Sequence, residues 1–226
     1  MSRLRISEGS LQTVKWIALV LMTIDHVNKF LFNGTNYQAF ALGRLAMPLF
    51  LFVLAYNLAR SDNMLSFRRV MTRLTIYGIL ATPACGAMMG LHTLNIMFAL
   101  LALTAIIYCL HHRTTLWTVG GFLIFIGAGG FVEFAWLGLL LGLSLYWYCR
   151  QPSFLALACM LLALASLWLI NENWWAFAAI PVVLLLCFVD LRVPRMKLIF
   201  YVYYPFHLTV LWLIRFPMSK AGYLFF

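Results

Sequence analysis

Asp25, His26 and Lys29 fall within one apolar stretch, and Arg44 falls within the next. These are residue types that transfer protons and hold charge. Histidine takes up and returns a proton near neutrality, which suits a general base or a nucleophile. An arginine opposite it can stabilise developing negative charge or clamp a carbonyl. Asp25 and Lys29 are four residues apart and share a helix face, whereas His26 lies about 100° round the helix. Asp25 therefore need not orient His26, and can pair with Lys29 or with Arg44 instead. The plain alternative is that these charges neutralise one another and lock two helices together. Its weakness is cost, because apolar residues in place of a buried ion pair are often neutral or stabilising.

The elements that must position these groups are membrane helices. Of 226 residues, 65% are hydrophobic and 10% charged, and mean hydropathy is +0.94. Soluble domains are about 45–50% apolar and about 25% charged. A span needs about 20 apolar residues, and nine stretches qualify: roughly 11–32, 38–58, 70–89, 93–111, 115–131, 133–149, 153–171, 174–190 and 198–216. The fifth and sixth are short, and GAGG at 127–130 is either a loop or a re-entrant break. The first stretch carries charge and lacks a small-residue cleavage site, so it is expected to stay as the first span. The expectation is an all-α, polytopic transmembrane helix bundle forming one domain over residues 1–226.

Charge sets the orientation. Arg3, Arg5, Lys15, Arg60, Arg68, Arg69, Arg73, Arg113, Arg150, Arg192, Arg195 and Lys197 lie before the first span or in alternate connections, with Lys15 and Arg73 just inside the adjoining ends of the first and third stretches. They are twelve of the sixteen lysines and arginines, and the intervening loops carry none. The positive-inside rule puts the amino terminus in the cytoplasm and the carboxy terminus outside. It also accounts for the net charge of +10 without a nucleic-acid partner, leaving attraction to anionic lipid headgroups as the ordinary role of these cations. RRVMTR at 68–73 is denser than orientation requires. Arg68, Arg69 and Arg73 are candidates for holding a phosphorylated donor such as coenzyme A, because guanidinium pairs bidentately with phosphate. The five cysteines are scattered and form no metal-ligand pattern, so no metal and no disulfide framework is expected.

Depth brings the polar groups together. His26 lies about 9 Å below the end of its span at Phe32, and Arg44 about 9 Å below the start of its own at Gln38. A short loop joins the two helices, so Asp25, His26 and Arg44 are expected at one level in the outer half of the membrane. His207 lies about 14 Å into the last span. It is a second base, a proton relay or a structural hydrogen bonder. Pro205 is expected to bend that helix. Lys29 and Asn95 are candidates for substrate binding. The outer loops, with Glu133 and Glu172 and no lysine or arginine, suit an acceptor presenting an ammonium group.

Four stretches carry a resemblance. KWIALVLMTIDHVNKFLF and ALGRLAMPLFLFVLAYNLAR, then TLNIMFALLAL at 93–103 and YVYYPFHLTVLWLI at 201–214, resemble the TraX family of conjugal-transfer proteins, the F-pilin acetylase family. The resemblance runs from about residue 12 to 214. It implies a multi-pass protein of the bacterial inner membrane that acetylates the amino-terminal residue of conjugative pilin with acetyl-coenzyme A as donor. It makes His26, Asp25 and Arg44 the best catalytic candidates, to which the reading of the last span adds His207. A different extracytoplasmic amine or hydroxyl acceptor stays open. So do a non-enzymatic assembly factor for pilin and a proton-coupled transporter, although the lack of internal repeats counts against the last.

Overall fold

The structure is a computed structural model that describes residues 4–90 and 92–225. Arg3, counted above among the cytoplasmic cations, lies outside the described residues. Among those described there are helices and one isolated pair of bridging residues, Leu94 and Val132, but no strand.

In order the helices are α1 (Glu8–Leu31), α2 (Tyr37–Gly43), α3 (Ala46–Ala59), α4 (Met64–Met89), α5 (Ile96–His111) and α6 (Thr115–Gly129). They continue with α7 (Ala135–Arg150), α8 (Phe154–Ser166), α9 (Trp168–Asn171), a 3-10 turn at Trp175–Ala178, α10 (Ala179–Phe188) and α11 (Ile199–Lys220). Each of the nine apolar stretches is helical. Three lengths are long and apolar enough to cross a membrane: Tyr37–Ala59, Phe154–Asn171 and Ile199–Lys220. Shorter apolar helices cover Ile96–His111, Thr115–Gly129 and Trp175–Phe188. Large apolar side chains stand on the outside, with Phe122, Phe154 and Phe188 exposed at 63%, 80% and 88%. Such a surface suits lipid tails and would be a liability in water. This is an α-helical membrane protein.

Two expectations change in detail. The stretch 38–58 is not one helix. It breaks at Arg44–Leu45, where α2 ends and α3 begins. The third stretch starts earlier than its hydropathy suggests, so Arg68 and Arg69 join Arg73 on α4 rather than lying in a loop. Arginine is a good helix former, and Asn63 Oδ1 accepts the Leu65 amide at the first turn (2.9 Å). The 26 residues of α4 span about 39 Å, more than the hydrocarbon thickness of about 30 Å. The arginine-bearing turns can therefore stand outside the apolar layer. GAGG at 127–130 also resolves. The helix runs to Gly129 and a short loop leads to α7. That loop is pinned as Leu94 N–H donates to Phe131 O (2.6 Å) and Glu133 N–H to Leu94 O (3.1 Å).

The contacts divide the chain into two compact units. One contains Leu51–Ile79 and His92–Glu172. In it α5 packs on α6 and α7, and α7 on α8. Gly142 permits the close approach of α7, since a methyl group there would strike Leu103. The other contains Arg5–Phe50, the segment opening at Leu80, and the chain from Asn173 onward. Here α1 is central, packing on α2, α10 and α11. Ser7 caps its start by accepting from the Ser10 amide (3.1 Å). Ser10 Oγ donates to the Val189 carbonyl and ties that first turn to the segment after α10.

Candidate active site on the first and last helices

The site is built where α1 turns back. Asn33 and Gly34 adopt positive φ (52° and 71°) and reverse the chain. Asn28, buried near the end of α1, then clamps the return. Its Nδ2 donates to Asn36 O and its Oδ1 accepts the Asn36 amide, each at 2.9 Å. Asn36 in turn caps α2 by accepting the Ala39 amide (3.0 Å). With both ends of the turn fixed, α2 packs along α1 and Arg44 comes level with Asp25.

Arg44 Nη2 donates to Asp25 Oδ2 at 2.7 Å, with both side chains largely enclosed (14% and 12% exposed). The choice left open between Lys29 and Arg44 thus falls to Arg44. Its Nε also donates to Phe40 O (3.3 Å), and its guanidinium lies 4.4 Å over the Phe40 ring. Gly43 makes room for the pair, because a methyl group at that position would run into the Asp25 carboxyl. Lys29 is exposed, reaches Met89 Sδ (3.2 Å) and lies over the Phe30 ring.

His26 faces another helix. Its Nδ1 is 2.8 Å from Nε2 of His207, which is buried on α11. The two rings are within 7° of parallel, with centroids 5.1 Å apart. Stacked rings would sit at least about 3.5 Å from each other. A 2.8 Å nitrogen–nitrogen distance therefore means an edge-to-edge hydrogen bond in a shared plane. Phe30 and Tyr204 flank the His26 ring at 5.3 and 6.4 Å. His207 Nδ1 lies 3.0 Å from the Tyr203 carbonyl, four residues earlier on α11. The Tyr203 hydroxyl returns to α1 at Thr23 Oγ1 (2.8 Å). Positions 23 and 26 on α1 and 203 and 207 on α11 each share a helix face, so two side-chain hydrogen bonds join these helices. The helix continues through Pro205.

Of the residues singled out from sequence, Asp25 and Arg44 meet, His26 and His207 meet, and Lys29 lies on the same helix as Asp25 and His26. The remaining candidates belong to the other unit. Arg68 and Arg69 are exposed on α4, and Arg68 Nε and Nη2 donate to the Tyr108 hydroxyl (3.4 and 3.3 Å). Arg73, part-buried, follows on the same helix. Asn95 is buried, caps α5 through the Met97 amide (3.1 Å) and donates to Gly78 O (3.0 Å). Its amide is engaged in holding helices. Thr23, Asn28 and Tyr203 are not among the residues singled out from sequence. Asn28 had a legible signal, an amide one turn from the end of an apolar helix. Thr23 and Tyr203 had none, because hydroxyls are common in membrane helices.

A multi-span α-helical membrane protein with an enclosed ion pair and a histidine pair is the class that fold and site define. A family model described as TraX protein matches residues 10–215, and the chain belongs to that family. Membership supports a pilin-associated role in conjugal transfer. No curated protein and no solved structure matches the chain.

Proposed function

We propose that this protein is an N-acetyltransferase of the bacterial inner membrane, moving the acetyl group of acetyl-coenzyme A to the amino-terminal amine of conjugative pilin. The observation that carries the reading is the pairing of His26 with His207 inside a chain of the TraX family. A histidine in a membrane helix is costly to keep and defaults to a functional role. In the proposed reaction the amine attacks the thioester carbonyl. The nitrogen–carbon bond forms, the carbon–sulfur bond breaks, and His26 takes the proton the amine loses. Arg44 steadies negative charge at the carbonyl oxygen, and Asp25 holds Arg44. Arg68, Arg69 and Arg73 offer guanidinium groups to the donor's phosphates. Nine spans, with the amino terminus in the cytoplasm and the carboxy terminus outside, complete the reading.

The test is the intact mass of the cognate pilin made with the wild-type protein and with His26→Ala. One acetyl increment is expected with wild type. The variant, still folded, is expected to lose about 10²–10⁴-fold in rate, the usual worth of a positioned base. Full activity in the variant would refute the role of His26. If wild type adds no acetyl group, the pilin assembly factor becomes the better reading, with the Asp25–Arg44 pair as its helix lock.

A further inference from the structure

The hydrogen bonds around His26 run in one direction, and their chemistry fixes it. Thr23 Oγ1 donates to the Leu19 carbonyl (2.8 Å), which uses its single hydroxyl proton. Thr23 must therefore accept from the Tyr203 hydroxyl, and this holds Tyr203 against α1. The Tyr203 carbonyl faces His207 Nδ1 at 3.0 Å. A carbonyl only accepts, so that nitrogen carries a proton. His207 is 5% exposed, and its ring nitrogens meet a carbonyl and an imidazole. Neither is a counter-ion, so the site accommodates the neutral ring. A neutral ring protonated at Nδ1 has a bare Nε2. The proton in the 2.8 Å contact between the rings then belongs to His26 Nδ1.

We propose that His207, held by Tyr203, is the positioning residue that fixes His26 as the Nδ1–H tautomer, so that Nε2 of His26 is the atom that takes the proton in acyl transfer. This rests on His26 being the base of the proposed reaction. As the amine attacks, its proton passes to His26 Nε2, and the imidazolium shares its charge through Nδ1–H with His207 Nε2. The departing thiolate then recovers that proton from Nε2 and leaves as thiol, restoring the neutral pair. His207 thus does what a carboxylate does behind other catalytic histidines, without adding a buried negative charge. The edge-to-edge ring geometry suits that task, since it aligns donor and acceptor, whereas a stacked pair would not.

The experiment is a long-range proton–nitrogen correlation spectrum of the full chain in micelles at mildly alkaline pH. Its five histidines carry ¹⁵N, and the His26→Ala spectrum supplies the assignment. A pyrrole-type Nδ1 and a pyridine-type Nε2 at His26 are expected, with loss of that preference in His207→Ala. A proton on His26 Nε2 in the wild-type protein would overturn the proposal, whatever the variants do. In kinetics, His207→Gln keeps an acceptor for Nδ1–H and is expected to hold kcat within about tenfold. His207→Ala should lose about 10²–10⁴-fold in kcat with KM little changed. Equal losses in the two variants, with the tautomer unmoved, would also overturn it. The spectrum needs no acceptor, so failure of the acetylation reading and failure of this one are distinguishable.

Discussion

Each of the two units holds a carboxylate–guanidinium pair of nearly the same length, Asp25–Arg44 at 2.7 Å and Asp62–Arg150 at 2.8 Å. Their surroundings differ. The Asp25 side chain is 12% exposed, and its arginine also engages a carbonyl and a ring. The Asp62 side chain is 81% exposed, on the connection between α3 and α4. There Arg150, the last residue of α7, joins it and donates to Ala59 O (3.1 Å). The second pair is a surface tie between helix ends, where water can replace either partner. The first stands in an enclosed setting, where losing one partner strands the other. Distance alone does not rank the two pairs, and burial does.

That contrast can be broken experimentally. Arg44→Ala should have the largest effect, about 3–5 kcal/mol of lost stability, because it leaves an enclosed carboxylate without its partner. Thermal unfolding in detergent measures it, and Asp25→Asn in the same background should recover part of the loss. Gly43→Ala comes next, at about 1–3 kcal/mol, since the added methyl must displace the Asp25 carboxyl from a packed position. It should also lower acetylation in the pilin mass assay, as Arg44 loses its seat. Asn28→Ala removes both hydrogen bonds of the turn clamp. About 1–3 kcal/mol is expected, together with faster proteolysis at residues 33–36. Asp62→Ala should cost least, about 0–1 kcal/mol, with a dependence on salt that the Asp25 pair lacks. A loss from Asp62→Ala as large as that from Arg44→Ala would mean that burial does not separate the pairs.

Much of the inner pair is legible in the sequence. Counting residues inward from Phe32 and Gln38 placed Asp25 and Arg44 at one depth, and a short loop made their helices neighbours. The histidine pair was not legible. His26 and His207 stood out separately, but helical periodicity relates residues a few positions apart, and these two are 181 apart. Arg68 and Arg69 of α4 were misplaced for another reason. A hydropathy window ends where apolar side chains end, whereas a helix ends where its backbone hydrogen bonds do. The break at Arg44–Leu45 has a sequence signal in Gly43, which ends α2, and in Pro48, which lacks an N–H and crowds the carbonyl four residues back at Arg44, but unbroken apolarity on both sides makes the stretch read as one span.

The sequence separation of the two pairs has a consequence for biosynthesis. Asp25 is 19 residues from its arginine, so the ion pair can close as soon as the following helix has entered the membrane. His26 must wait for the last helix. A nascent chain released ahead of Phe206 would thus insert with its charges balanced and its histidine unaccompanied. On the proposed mechanism such a fragment cannot present His26 in its working tautomer. Competence then arrives only when translation is nearly finished.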